Sequence, residues 1–292
     1  MRDELIWSDD GETLHRPVLV AAFSGWFDAA GAATAAVRHL GGGRGPVVGS
    51  IDPDGFFDFS QRRPTVELDA DDQRVVKWPQ NDFRVAARPG GAHDLVLLAG
   101  EEPNIRWATF VGLVLDACRR LRCELVVTVG TVADAHPHTR PPLVVGSSTD
   151  RALARRLGLN HPTYQGITGV VGVLQTALEM AGIPAISLRA AVPYYLVGSP
   201  NPKATMALLA DLERVLGTPT GHRLLRDEVA SWEARHEEAV EADADARAYV
   251  RRLEQTYDHR LSTELPDETD LAAELEAFLR EHGEEGGEGQ AD

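Results

Sequence analysis

Four short apolar segments, separated by stretches with helical spacing, constrain the fold of this chain more than any other feature. They span residues 17–23, 95–99, 125–129 and 185–192. The first three are almost continuously apolar, and 185–192 is apolar apart from Ser187 and Arg189. Such runs are typical of strands that are buried on both faces of a sheet. The alternation of such strands with amphipathic helices predicts an α/β fold, in which helices cover both faces of a mostly parallel sheet.

The rest of the first 216 residues fits the same pattern. Apolar residues recur at three- and four-residue steps between 107 and 120, which predicts an amphipathic helix. Further helices are predicted at residues 28–40, 148–157, 169–181 and 202–216, and a further strand at 47–51. Residues 52–90 are predicted to form an insertion of loops and antiparallel strands.

Acidic charge is concentrated in the last quarter of the chain. The formal net charge is −16, and residues 217–292 hold 21 acidic side chains against 8 arginines. The first 216 residues are nearly neutral, with a balance of −3. Binding to a nucleic-acid backbone requires a basic face, so this distribution argues against a nucleic-acid partner.

From residue 217 onwards the sequence changes in character. Residues 222–261 contain neither glycine nor proline, and their apolar residues recur at three- and four-residue steps, which predicts a long charged helix. The apolar stripe of this helix is interrupted at Asp243. We therefore predict an α/β domain at residues 1–216, a C-terminal acidic helical appendage at 222–280 and a disordered acidic tail at 283–292. The appendage either packs on the α/β domain or offers a docking surface to a partner or to a second copy.

Several other classes of protein are excluded by the sequence. No apolar run reaches the roughly 18 residues that a membrane helix needs. The first residues lack the basic and apolar regions of a secretory signal, so we expect a cytoplasmic protein without membrane contact. Cys118 and Cys123 are too few for a disulfide framework or a four-ligand zinc site, and we predict no cofactor and no metal.

The turn after the first predicted strand carries three candidate site residues, Ser24, Gly25 and Asp28. Loops at the carboxyl ends of strands form the ligand sites of open α/β sheets. Ser24 lacks the G-x-S-x-G elbow of a catalytic serine, and the turn lacks the G-x-G-x-x-G spacing of a dinucleotide site. Asp28 is placed to cap a helix that begins at Ala29.

Charged candidates follow two later strands. Glu101 and Arg106 come after one strand, where they form either part of a ligand site or a structural ion pair. His138 and Arg140 lie on a loop that prolines stiffen after the next strand. Because His136 and His138 would need further ligands to hold a metal ion, we interpret this loop as a structural or partner-facing segment.

A glycine-rich segment before the predicted helix at 169–181 completes the candidates. Gly166 and Gly169 could expose backbone N–H groups to an anion at the helix N-terminus, or they could let the helix pack closely on the sheet. The sequence G-x-x-x-x-G-K-[ST] is absent, which excludes a P-loop nucleotide site.

Five segments in a fixed order resemble one protein family. They are AFSGWFDAAGAA, EEPNIRW, VGTVADAHPHTRP, YQGITGVVGVL and AVPYYLVGSPNPKAT. Together they are similar to the family of proteasome assembly chaperones that is named for the second such chaperone, in its bacterial branch. The resemblance spans about residues 5–255. It implies a three-layer α/β/α sandwich like that of nucleoside phosphorylases and peptidyl hydrolases.

The resemblance also implies a function. Eukaryotic and archaeal members bind proteasome α-subunits, so we expect a non-enzymatic protein-assembly factor that binds a protein such as a proteasome subunit. A homo-oligomer is an expectation from the residues alone, because the charged helices after residue 217 could contact a second copy. The chain ends Gly289-Gln290-Ala291-Asp292, without the tyrosine-containing ending by which some members dock on proteasome rings. The alternative is an enzyme or small-molecule binder that uses a phosphorylase-like pocket at the carboxyl edge of the sheet.

Overall fold

The computed structural model describes residues 4–8, 14–42, 45–88 and 91–264. The strands are β1 (Leu5–Trp7), β2 (Val18–Ser24), β3 (Val47–Ile51), β4 (Thr65–Leu68), β5 (Arg74–Lys77), β6 (Asn81–Ala86), β7 (Leu95–Glu101), β8 (Leu125–Asp134), β9 (Val144–Ser147) and β10 (Ala185–Pro193). The helices are α1 (Ala32–Leu40), α2 (Trp107–Arg120), α3 (Arg151–Leu157), α4 (Val170–Met180), α5 (Pro202–Leu216), α6 (Arg226–Glu241) and α7 (Ala244–Glu264).

The main sheet has the strand order β1-β3-β6-β7-β2-β8-β10-β9, and β4 and β5 form a separate antiparallel pair. The four central strands β7, β2, β8 and β10 are parallel. The strands on either side of them are antiparallel to their neighbours. The four apolar segments that the sequence predicts to be buried strands are these central strands, and the predicted α/β class is confirmed. The sheet is mixed instead of mostly parallel, because only its centre is parallel.

Two helical layers cover the central strands because side chains of a strand alternate between its faces. On β2, Leu19 and Phe23 pack in a cluster with side chains of α2 and α4. Val18 and Val20 point to the other face and pack with side chains of α1 and α5. The carboxyl ends of the parallel strands therefore open between two well-packed layers, where a ligand or a partner can reach them.

The described residues fall into two compact units that divide between Ala239 and Val240. In the second unit, Asp243 Oδ1 accepts the backbone N–H groups of Asp245 at 2.8 Å and Ala246 at 3.2 Å, and so caps α7. The sequence predicted one long helix over residues 222–261, and that prediction is wrong: the chain forms α6 and α7, which are separated at the point where the apolar stripe is interrupted.

The domain boundary at residue 216 stays a prediction. The last part of the predicted helical appendage, at residues 265–280, and the predicted disordered tail at 283–292 lie outside the described residues. None of the helices in the described part of the chain has the length and apolar content needed to cross a bilayer.

Candidate functional site

Ser24 and Glu101 lie side by side at the carboxyl edge, because they are paired in the parallel register of β2 and β7. Arg62, from the loop after β3, forms an ion pair with Glu101, and its Nη2 lies 3.5 Å from Ser24 Oγ. Burial raises the pKa of Glu101, and the Arg62 guanidinium opposes that rise. A guanidinium does not accept protons, so Arg62 cannot act as a base toward Ser24. The Glu101 carboxylate, which also contacts the Ser24 hydroxyl, is engaged in the ion pair with Arg62. The group is instead suited to hydrogen-bonding a polar ligand.

A cavity of about 340 Å³ extends from Glu101 along β6, β7 and the end of α1. Arg38, Trp78, Asp82 and Arg84 contribute to its walls. Arg84 Nη2 lies 3.1 Å from Asp82 Oδ2, so these two side chains form an ion pair. The cavity is therefore polar and charged along one side.

Glu102 joins the two glycine-containing loops of this edge. Its Oε2 accepts the backbone N–H of Trp26 at 2.9 Å, and its Oε1 accepts that of Val170 at 2.8 Å. Val170 is the first residue of α4, so the carboxylate also lies at the positive end of a helix dipole. The sequence shows two adjacent glutamates after an apolar strand, but it does not show which of them reaches a neighbouring loop.

Gly25 and Gly169 allow this carboxylate to approach the backbone. A Cβ on Gly25 would lie 2.4 Å from Glu102 Oε2, and a Cβ on Gly169 would lie 2.8 Å from Oε1. The anion that the sequence suggested for the N-terminus of α4 is thus supplied by the protein's own Glu102. Gly166 lies on the exposed loop before α4, where it lines a second and larger cavity.

Asp28 is a buried helix cap. Its Oδ1 accepts the backbone N–H groups of Ala33 at 2.8 Å and Thr34 at 3.2 Å, and its Oδ2 accepts the Thr34 hydroxyl at 2.6 Å. Burial raises its pKa, and the hydrogen bonds from Thr34 oppose the rise. The helix that it caps begins at Ala32 instead of the predicted Ala29, because a short 3₁₀ turn precedes it.

Arg106 stands apart from the Ser24–Glu101 pair. Its Nη1 lies 2.6 Å from Glu4 Oε1, and its guanidinium lies 5.0 Å from the centre of the Phe56 ring. The carboxylate–arginine pair that the sequence suggested at this strand end is formed by Arg62 instead.

His138 is 3% exposed. Its backbone N–H and its Nδ1 lie 2.9 Å and 2.8 Å from the Tyr195 hydroxyl, and Lys203 Nζ donates to its carbonyl at 2.8 Å. The Trp232 ring lies against its imidazole, with 6.3 Å between ring centres. These contacts favour the structural interpretation of this loop, in which Arg140 is half-buried. In the described ranges, no three His, Cys, Asp or Glu side chains are grouped closely enough to hold a metal ion.

The most exposed feature of this edge is apolar. Trp26, Tyr164 and Ile167 are 61%, 68% and 74% exposed, and all three line a cavity of about 770 Å³. The Tyr164 hydroxyl donates to the Ile167 carbonyl at 3.0 Å, which holds their loop together. Glu102 fixes the backbone of Trp26 and of Val170, which lies three residues after Ile167, so the edge is braced at Trp26 and at the end of the loop that carries Tyr164 and Ile167. We refer to the three side chains as the edge surface.

The model of the PAC2 family matches residues 22–240. The chain belongs to the PAC2 family. A PAC2 family protein from Streptomyces avermitilis is 41% identical in sequence and has a TM-score of 0.74, and the match covers 80% of this chain and 99% of that one. No curated protein matches the sequence.

Two further structures place this PAC2 protein among its relatives. A proteasome-assembly chaperone homologue from Mycobacterium tuberculosis is 39% identical, with a TM-score of 0.71 over 80% of this chain and 99% of that one. PbaB from Pyrococcus furiosus, an archaeal proteasome activator, is 16% identical with a TM-score of 0.64 over 80% of this chain and 97% of that one, and it shares the fold. The family resemblance and the α/β fold class that the sequence predicted are therefore confirmed.

Proposed function

We propose that this PAC2 protein is a non-enzymatic protein-assembly factor that binds a protein partner through its edge surface. The observation that carries the proposal is the exposure of Trp26, Tyr164 and Ile167 around one cavity. Exposed apolar side chains in one patch mark interaction sites, and tryptophan and tyrosine are enriched among the residues that dominate binding energy. Side chains held on a braced backbone also lose less conformational entropy when a partner binds.

A proteasome subunit is the partner class that we infer. Support comes from the Mycobacterium tuberculosis relative, a proteasome-assembly chaperone homologue that is 39% identical to this chain. An assembly factor works by holding a partner's surface until another subunit replaces it, so it requires complementary contacts and no catalytic group. The Glu102 carboxylate is consistent with this role, because its hydrogen bonds to the backbone of Trp26 and Val170 hold the edge in place instead of serving catalysis.

The test is the affinity of the purified protein for proteasome α- and β-subunits of its own cell, measured by calorimetry. The double variant Trp26→Ala with Ile167→Asp should bind at least about 30-fold more weakly, since the loss of one dominant contact costs about 2 kcal/mol or more. Leu224→Asp is the matched control, because Leu224 is 81% exposed and lies outside the edge surface. It should bind as the wild type does. Equal affinity of the double variant, or no binding by the wild type, would reject the proposal.

A second candidate function is the binding of a small molecule beside Glu101. The cavity there and the raised pKa of a carboxyl group held next to Ser24 favour it. In screens for esterase, peptidase, phosphatase, ATPase and nucleosidase turnover we expect no activity. A turnover that disappears in both Ser24→Ala and Glu101→Gln, with the fold retained, would replace our proposal with this candidate.

A further inference from the structure

Arg189 is an unusual residue for its position in the sheet. It lies on β10, between β8 and β9, and its half-buried side chain lines the cavity of about 770 Å³. Within the part of the chain that the structure describes, no ion pair and no hydrogen bond engages its guanidinium. A partly desolvated guanidinium without a counter-ion is costly, and an anionic ligand would remove that cost.

Two serine hydroxyls share this floor with the arginine. Ser187 lies two residues before Arg189 on the same face of β10, and Ser147 is paired with Ser187 in the register of β9 and β10. Gln175 closes one side, and its position is fixed because its Nε2 donates to Thr128 Oγ1 at 2.6 Å and to the Ile186 carbonyl at 3.0 Å. The floor therefore offers one cation and two hydroxyl groups from adjacent strands.

The charges around the cavity select among anions. Arg189 is the only arginine among the described residues that line it, and Glu179 on α4 adds a carboxylate to the opposite wall. A phosphate monoester carries about −1.5 to −2 at neutral pH, so it would be repelled by Glu179 and only half neutralised by Arg189. A carboxylate carries one charge and matches the guanidinium in a bidentate geometry.

The remaining lining combines polar side chains, among them Thr149, His161 and Gln165, with an apolar part. Phe27, Val132 and Val171 lie on the inner side, and the edge surface forms the outer rim. The volume is within the roughly 300–1,000 Å³ that is usual for small-molecule sites, which combine apolar walls with a few polar groups. We propose that this cavity binds a small organic acid, namely a monocarboxylate with an apolar or aromatic body, whose carboxylate lies on Arg189. The proposal goes beyond protein assembly and does not depend on it.

The experiment uses three probes on the full chain, namely 3-phenylpropanoate, its uncharged amide and propanoate, each titrated by calorimetry. We expect 3-phenylpropanoate to bind at least about tenfold more tightly than either of the other two. The amide lacks the charge that Arg189 would bind, and propanoate lacks the aromatic ring that the apolar lining would contact. Arg189→Gln should abolish the preference for acid over amide, whereas Arg189→Lys should keep part of it. Arg84→Gln, in the smaller cavity, is the matched control and should keep all of it.

Stability separates a ligand-binding arginine from a structural one. Because Arg189 has no partner among the described residues, Arg189→Gln should leave the melting temperature of the free protein unchanged or raise it. A drop of roughly 6 °C or more would reveal a structural ion pair and overturn the proposal. Equal binding of acid and amide at concentrations up to about 10 mM would overturn it as well. Tighter binding of N-acetylglycylphenylalanine than of 3-phenylpropanoate would assign the site to a polypeptide C-terminus and overturn the assignment to a small acid.

Discussion

Removing the Glu102 carboxylate should loosen the carboxyl edge of the sheet. The side chain accepts two backbone N–H groups, from Trp26 at 2.9 Å and from Val170 at 2.8 Å. A hydrogen bond to a charged group contributes about 1.5–3 kcal/mol, and the lower end applies because Glu102 is only half-buried. The favourable charge at the start of α4 adds about 0.3–1 kcal/mol. We therefore expect Glu102→Ala to lower the free energy of unfolding by about 3–4 kcal/mol.

Urea denaturation measures this loss directly. With a denaturant dependence of about 3 kcal/mol per molar, the midpoint should fall by about 1 M. Glu179→Ala is the control, since Glu179 is an exposed glutamate on α4, the helix whose first residue Glu102 contacts, and it should change the free energy by no more than about 0.5 kcal/mol. Glu102→Gln should fall between the two, because an amide oxygen can still accept one N–H group. If the urea midpoint of Glu102→Ala falls no further than that of Glu179→Ala, the Glu102 carboxylate does not brace the edge and the reasoning fails.

Three further predictions concern stability. Gly25→Ala should lower the free energy of unfolding by about 1–3 kcal/mol, because its Cβ would lie 2.4 Å from Glu102 Oε2 and 2.7 Å from Glu102 Cβ, and by much less in a Glu102→Gly background, which removes both atoms; a double-mutant cycle with no coupling would contradict this. Tyr195→Phe removes the hydroxyl that contacts two nitrogens of His138, so the unfolding free energy should fall by about 1–2 kcal/mol, and an unchanged urea midpoint would speak against it. Hydrogen bonds from two backbone N–H groups lower the pKa of Asp94 in the folded protein. The ionised side chain therefore stabilises the fold above its unfolded pKa of about 3.9, and this stabilisation is lost as the pH falls through the folded pKa. The destabilisation caused by Asp94→Asn, measured by thermal melts, should therefore shrink as the pH falls to about 3 and should not grow.

The central strands could be predicted because burial on both faces leaves a continuous apolar run in the sequence. The order of the strands could not be predicted, since pairing joins segments far apart in the chain: β2 lies between β7 and β8. The strand β6 was hidden inside the predicted insertion because only Phe83 and Val85 supply the apolar alternation, and the third buried position of the strand is the polar Asn81. The start of α1 was misplaced because the 3₁₀ turn before it has a helix-compatible sequence.

Only the residues of the candidate site that lie at strand ends could be predicted from the sequence. Ser24 and Glu101 meet because the ends of parallel strands share one edge. Arg62 reaches them from a long loop, whose path leaves no periodic signal in the sequence. The burial of His138 likewise depends on Tyr195, which arrives from a distant segment.

Site-specific photocrosslinking in the native cell can establish whether the edge surface contacts a proteasome subunit. A benzophenone side chain at position 167 replaces an exposed residue of the edge surface, and the same group at position 224 replaces an exposed residue outside it. We expect the probe at Ile167 to form a crosslink to a proteasome subunit, identified by mass spectrometry, and the probe at Leu224 to form none. Crosslinks to a proteasome subunit from Leu224 alone, or none from either position, would contradict the proposed function.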